Sequence, residues 1–309
     1  MRTLTATLAR RASPRTLALM FLIAYGVIGG ATFSVSKLAM MAGVHPFGYT
    51  LWQVGGAGLV VWLLSLWRGH SIPLNGPHIR FYAVCGVVGI ALPSVVMFTT
   101  IVHLPAGILA IVMATIPIFT YALTLILRME AFRWIRVAGI MTGFLGAMLI
   151  LLPKASLPSP DMTFWAVLAF LVPLFYAIGS TYTGRHRPPQ TRAPSLTVGM
   201  LAAATMVILP VALVRGDTYL PRFPMGQAEF AIMAQIAISS VGYMLFFEII
   251  RLAGPVFFSQ VGYFVTIAGV SWGAWIFGES HTGWVWAAAL LILVGLTLVN
   301  IRPPAQSDR

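Results

Sequence analysis

FYAVCGVVGIALPSVVMFTTIVHLPAGILAIVMATIPIFTYALTLIL, residues 81–127, runs for 47 residues without a Lys, Arg, Asp or Glu. A helix needs about 20 apolar residues to cross a bilayer. This stretch therefore holds two spans, divided at His103-Leu104-Pro105-Ala106-Gly107. Eight more charge-free stretches lie around it: 16–36, 38–67, 137–153, 162–184, 193–214, 230–247, 252–278 and 280–301. Each fits one span. The pattern predicts an all-α integral membrane protein with ten transmembrane helices, over 17–38, 47–67, 81–102, 105–127, 135–153, 162–183, 194–214, 229–250, 254–277 and 283–301.

Composition excludes the soluble alternatives. Hydrophobic residues make up 59% of the 309 and charged residues only 8%. Soluble domains carry roughly 25% charged residues, and a soluble globule could not cover its surface with so few. The net charge of +12 and pI near 10.7 would suggest nucleic acid on a soluble protein. Here the basic residues stand singly between apolar spans, with no stacking platform beside them, so no nucleic-acid partner is expected. Cys85 is the only cysteine, which excludes an internal disulfide and a cysteine-based zinc site. No metal or other cofactor is expected.

The basic residues orient the spans instead. With the N-terminus inside, fifteen Lys and Arg fall in inside segments and three, Lys154, Arg215 and Arg222, in outside loops; Lys37 lies near the outer end of the first span. Both termini are expected in the cytoplasm, with loops 70–78 and 185–192 inside and 155–160 and 217–226 outside. The start, with Arg2, Arg10, Arg11 and Arg15, also suits a transit peptide or a twin-arginine signal. Nothing after the first apolar run resembles a cleavage site, which favours a basic cytoplasmic tail over 1–16.

A shift of 149 residues lays the chain on itself. Gly30, Thr32, Phe33 and Ser34 then meet Gly179, Thr181, Tyr182 and Thr183; Glu130 meets Glu279, and Gly146 meets Gly295. Each half holds five spans. Five is odd, so the second half enters the membrane inverted, an arrangement common in secondary transporters. The expected units are a first repeat over 17–153, an external linker over 154–161, a second repeat over 162–301 and a cytoplasmic tail over 302–309.

These features resemble the EamA-type family of the drug/metabolite transporter superfamily. The resemblance is carried by Gly30 to Lys37, His45-Pro46-Phe47, Pro117, Glu130, Phe277-Gly278-Glu279 and the glycine-rich ends of spans 5 and 10, and covers residues 17–301. It implies a transport cavity built by spans 1, 3, 4, 6, 8 and 9. There are departures: Gly29 stands where the family often has Trp, Gln53 where it often has Arg, and Thr266 where the second repeat would match Pro117. The missing arginine disfavours a strongly anionic substrate.

Candidate site residues follow from polar groups placed mid-span, where they are costly unless they meet partners or water. Span 8 carries Gln235, Ser239, Gly242 and Tyr243 on one helical face. Span 9 offers Gln260, Tyr263 and Thr266, and span 1 offers Tyr25, Gly29 and Thr32. The substrate-lining set is Tyr25, Thr32, Lys37, Gln235, Ser239, Tyr243, Gln260 and Tyr263; interhelical hydrogen bonding is the rival account. Lys37 could instead snorkel to headgroups. Gly30, Pro93 and Pro117 are candidate hinges, although Gly26-x-x-x-Gly30, Gly139-x-x-x-Gly143 and Gly269-x-x-x-Gly273 also suit close helix contacts.

Glu248 is the one acid clearly inside an apolar span, which suits proton coupling. Arg251 at i+3 favours a local ion pair instead. Glu130 and Glu279 are read as accepting hydrogen bonds from the start of the following helix. Ser34-Val35-Ser36-Lys37 matches an acyl-enzyme S-x-x-K by chance.

The leading function is a secondary transporter or exporter of small amphiphilic metabolites, amino-acid-like or related, across a bacterial inner membrane by alternating access. Membrane lipids and a coupling ion such as a proton are the other expected partners. An intramembrane enzyme is disfavoured: there is no H-E-x-x-H, no G-x-S-x-G and no nucleotide loop, and His103 and His281 lie near loops. A membrane scaffold or sensor would not explain the mid-span polar stripe.

Overall fold

Inside a bilayer every backbone polar group must be satisfied by the chain itself, so the apolar runs fold as helices. The computed structural model describes residues 14–100, 112–113, 115–151, 163–277 and 283–300. Ten helical segments stand among these residues: α1 (Pro14–Met41), α2 (Pro46–Trp67), α3 (from Gly76–Gly86 through Val87–Ala91 to Leu92–Thr100), α4 (Ile116–Ile126), α5 (Trp134–Leu151), α6 (Thr163–Ala169 and Leu171–His186), α7 (Ala193–Arg215), α8 (Gln227–Ala253), α9 (Pro255–Ser259 and Val261–Phe277) and α10 (Gly283–Asn300); seven of them, all but α4, α5 and α10, are long and apolar enough over the described residues to cross a membrane. No strand occurs among the described residues. The chain is an all-helical, multi-span membrane protein.

Local chemistry sets the ends. Pro46, Pro77, Pro194 and Pro255 sit in the first turn of α2, α3, α7 and α9, where a missing N–H costs nothing. Gly216 caps α7 in the left-handed region, and Gly254, also at positive φ, separates α8 from α9. The ends overrun the charge gaps: α1 continues to Met41 and α8 fills Gln227–Ala253, because polar residues at a helix end can reach headgroups.

Several spans are irregular. α2 widens into a π turn at Trp52–Gly56 and α3 into another at Val87–Ala91. The second precedes Pro93, whose ring would collide with the carbonyl four residues back in a regular helix. The wider turn accommodates it. From Ile116 α4 is a regular helix, with Pro117 in its first turn and Thr115 as its cap; residues 112–113 before it are also helical. α6 is interrupted at Phe170 and α9 at Gln260.

Packing pairs helices across the two halves. α1 lies between α8 and α9, α6 packs on α3 and α4, α2 and α3 pack on α7, α8 packs on α2, and α5 pairs with α10. Exchanging the halves, so that α1–α5 become α6–α10, maps this set of neighbours onto itself. Glycines allow the closest approaches. A Cβ on Gly295 would lie 2.5 Å from the Gly143 nitrogen, and one on Gly30 would lie 2.6 Å from Ala268 Cβ. α1 therefore runs unbroken through Gly30, pressed against α9.

The loops meet in matching pairs. At one end Arg192 meets His70 (2.5 Å), Thr191 meets His78 (2.9 Å) and Ser195 donates to the Ser71 carbonyl (2.8 Å). At the other end His45 faces Asp217 (3.4 Å) and Trp52 donates to the Tyr219 carbonyl (2.8 Å). The Glu229 carboxylate gathers the 219–226 segment there, accepting from the Tyr219 hydroxyl (2.5 Å) and the Arg222 and Gly226 amides (both 2.9 Å). That bond favours the protonated phenol and raises the Tyr219 pKa.

Candidate functional site

Four polar side chains from four helices converge mid-span. Tyr243 of α8 faces Gln53 of α2 and lies within electrostatic reach of Tyr25 of α1 and Tyr176 of α6. The π turn matters here: Gln53 is its second residue, and the extra residue in the turn rotates the side chains that follow. Gly242 precedes Tyr243, and a Cβ there would touch the Tyr25 ring at 3.5 Å. The Tyr25 ring meets Phe258 edge-on at 5.5 Å, and Phe258 meets Phe246 at 4.8 Å. All four polar residues keep part of their surface accessible in the middle of their spans. The result is a mostly aromatic wall with one amide, able to take an apolar body and hydrogen-bond a polar end.

Of the residues singled out in the sequence, Tyr25 and Tyr243 come together here. Ser239 and Gln235 lie one and two turns back along α8 from Tyr243, both buried, and the Gln235 amide donates to the Ser239 hydroxyl (3.1 Å). Gln235 is 1% exposed, and its Oε1 has no partner among the described residues. Thr32 is half-buried on α1 and Lys37 is exposed near its end. Gln260 stands at the break in α9 and makes only long bonds within its own turn, to the Val256 carbonyl (3.4 Å) and Ser259 (3.5 Å). Tyr263 faces α5: its ring packs on Gly143 and its hydroxyl donates to the Ile140 carbonyl (3.2 Å).

Sequence reasoning did not select Gln53 or Tyr176 as site residues. The repeat held a signal for Tyr176, since α6 is the counterpart of α1 and Tyr176 stands near the place of Tyr25. Gln53 had been noted only as a departure from the family pattern.

Toward the end of α8, Arg251 donates twice to Glu248 Oε2 (2.8 and 2.6 Å). Arg187 approaches the other carboxylate oxygen (3.5 Å) and donates to the Phe247 carbonyl (2.5 Å). Burial pushes the Arg187 pKa down, and the neighbouring carboxylate opposes that shift. Glu130 is ion-paired with Arg136 in the first turn of α5. Glu279, His103, His281, the linker 154–161, the tail from 302 and residues 1–13 lie outside the described residues, as does the side chain of Thr266. Among the described residues no group of His, Cys, Asp and Glu could hold a metal. Cys85 is buried against Thr183 (3.3 Å).

Residues 16–152 match the EamA-like transporter family. The chain carries an EamA-like transporter domain. Across nearly its full length it is also homologous to YedA of Escherichia coli (strain K12), described as an uncharacterized inner membrane transporter. The two are 26% identical over 301 residues, spanning 91% of this chain and 89% of YedA. YedA of Escherichia coli O157:H7 matches to the same extent. A solved crystal structure superposes with a TM-score of 0.77 over 92% of this chain and 96% of its own, at 16% identity, which speaks to the fold alone. With an EamA-like domain and this homology, the chain is a multi-pass membrane transporter; family and relatives bear the names of transporters, not of enzymes.

Proposed function

We propose that this EamA-like protein moves small amphiphilic metabolites, amino-acid-like or related, across a bacterial inner membrane by alternating access between repeats 17–153 and 162–301. The observation that carries this reading is the meeting of Tyr25, Gln53, Tyr176 and Tyr243, two residues from each half, in the middle of the bundle. A substrate held there touches both halves, so their relative motion alters its access. Gln235 and Ser239 extend the same face of α8 away from this cluster. The cluster is formally neutral, which suits a zwitterion or neutral amphiphile better than a strong anion.

Orientation rests on the fifteen-to-three charge split. The meeting of 70–78 with 187–192 supports it by putting two of the basic loops at one end. Both termini are then cytoplasmic, and the contacts of Arg192 with His70 and of Arg187 with Glu248 form a clasp that must loosen for cytoplasmic access. YedA's placement in the inner membrane supports the same location.

Uptake of a mixed metabolite panel into proteoliposomes tests the reading. Wild-type protein should accumulate at least one small amphiphile, with Tyr243→Phe and Gln53→Ala impaired for the same solute. Equal transport by all three proteins would remove the cluster from the substrate path.

A further inference from the structure

A second polar recess lies away from the tyrosine cluster, at the end of the bundle where α1, α5 and α9 begin and α10 stops. It is a small recess open to the surface. Arg15, Glu130 and Arg136 supply its polar side, and the α8–α9 turn with Val299 supplies the apolar side.

Its charge is unbalanced. Glu130 pairs with Arg136 through one terminal nitrogen, and these side chains are only 21% and 18% exposed. The Arg136 Nε is buried and has no partner among the described residues. Arg15, on the first turn of α1, lies close enough for the two guanidinium groups to repel one another. One carboxylate thus serves two cations. Two helices, α1 and α5, also direct their N-termini toward this end, and their first turns contain no acidic residue. Each adds a partial positive charge with no counter-charge of its own. The site carries a net positive charge.

The surroundings indicate where that anion comes from. Phe132 and Trp134, at the start of α5, are 53% and 77% exposed and stand edge to face at 5.0 Å. Exposed aromatic rings at a span end mark the headgroup level. The apolar half of the cleft suits a glycerol ester, which a free inorganic ion would leave unfilled. We infer that the cleft binds the phosphate of an anionic phospholipid, held between the guanidinium groups of Arg15 and Arg136. A basic pocket between transmembrane helices is a known form of headgroup site. Bound there, the lipid would tie the start of α1 to the α5–α10 pair.

Thermal unfolding of the purified full-length protein in detergent tests this, with phosphatidylglycerol, phosphatidylcholine or inorganic phosphate added. Arg15→Gln is the informative variant, because Arg15 is exposed and the fold does not depend on it. Arg80→Gln, an exposed arginine of α3 outside the cleft, is the control. Phosphatidylglycerol should raise the midpoint by about 3 °C or more in the wild type and in Arg80→Gln, and by less than half as much in Arg15→Gln. Phosphatidylcholine and inorganic phosphate should give no comparable shift. An equal phosphatidylglycerol shift in Arg15→Gln, or an equal effect of phosphatidylcholine, overturns the site. An inorganic phosphate shift that depends on Arg15 overturns the lipid as its source.

Discussion

Tyr243 and Tyr263 are both tyrosines in the interior of a span, and the fold uses them in opposite ways. Tyr263 is 2% exposed, its ring fills the space that Gly143 leaves open, and its hydroxyl is consumed by a carbonyl of the neighbouring helix. Tyr243 stays partly accessible and faces Tyr25, Tyr176 and the Gln53 side chain. The difference lies in the opposing surface. A glycine offers a flat bed on which a ring can dock. One region is a dry seam; the other is the lining proposed above.

The largest expected effect lies at the seam. A side chain on Gly295 would meet the Gly143 backbone at 2.5 Å and the Gly139 carbonyl at 2.6 Å. Gly295→Leu should therefore cost about 3 kcal/mol, the upper part of the overpacking range, read as lost monodisperse protein and a lower thermal midpoint. Normal yield and melting would mean that the α5–α10 contact is not tight.

Next comes the lining. Tyr243→Ala should cut transport by about tenfold or more, a loss of about 1.4 kcal/mol in kcat/KM, with the thermal midpoint nearly unchanged because water replaces the ring. If the variant instead fails to fold while surviving protein transports normally, Tyr243 belongs with Tyr263.

Tyr263→Phe sharpens the contrast from the other side. It keeps the ring on Gly143 and removes one hydrogen bond, so stability should fall by about 1 kcal/mol while transport per folded molecule holds. A specific transport defect would extend the lining to the α5–α9 contact.

The smallest effect is expected at Glu248, which lies in neither region. Glu248→Gln weakens its links to Arg251 and Arg187 at a partly exposed position and should cost about 0.5–1 kcal/mol, leaving the pH profile of transport in place. A lost pH dependence at unchanged stability would make Glu248 a proton-coupling group.

The spans were legible because charges stop where the bilayer starts, so gaps in Lys, Arg, Asp and Glu mark them directly. The breaks were less so. Pro93 announces a disturbance in α3, but its form, a π turn at Val87–Ala91, depends on how the chain absorbs the clash. Pro173 announces the break at Phe170, since its ring would collide with the Ala169 carbonyl in a regular helix, and nothing comparable stands around Gln260. For the site, spacing places residues on one face of one helix and cannot say which helix that face meets. Tyr25 and Tyr243 could be picked as polar groups mid-span. Their meeting with Gln53 and Tyr176 requires the packing of α1, α2, α6 and α8, and nothing local to Tyr263 indicates that it turns toward α5.

The neighbour pattern that survives exchange of the two halves has an energetic consequence. In a scaffold built this way, a conformation opening to one side converts into one opening to the other by swapping the roles of the halves, with the same helix seams in both. Perfectly identical halves would make the two states equal in free energy, and the resting protein would divide evenly between them. Any preference is therefore written in the positions where the halves disagree, such as Lys37 against His186 or Pro117 against Thr266. On the alternating-access reading proposed above, those mismatched pairs, more than the shared glycines and tyrosines, would set which side the empty transporter faces and how much work a bound solute must do to reverse it.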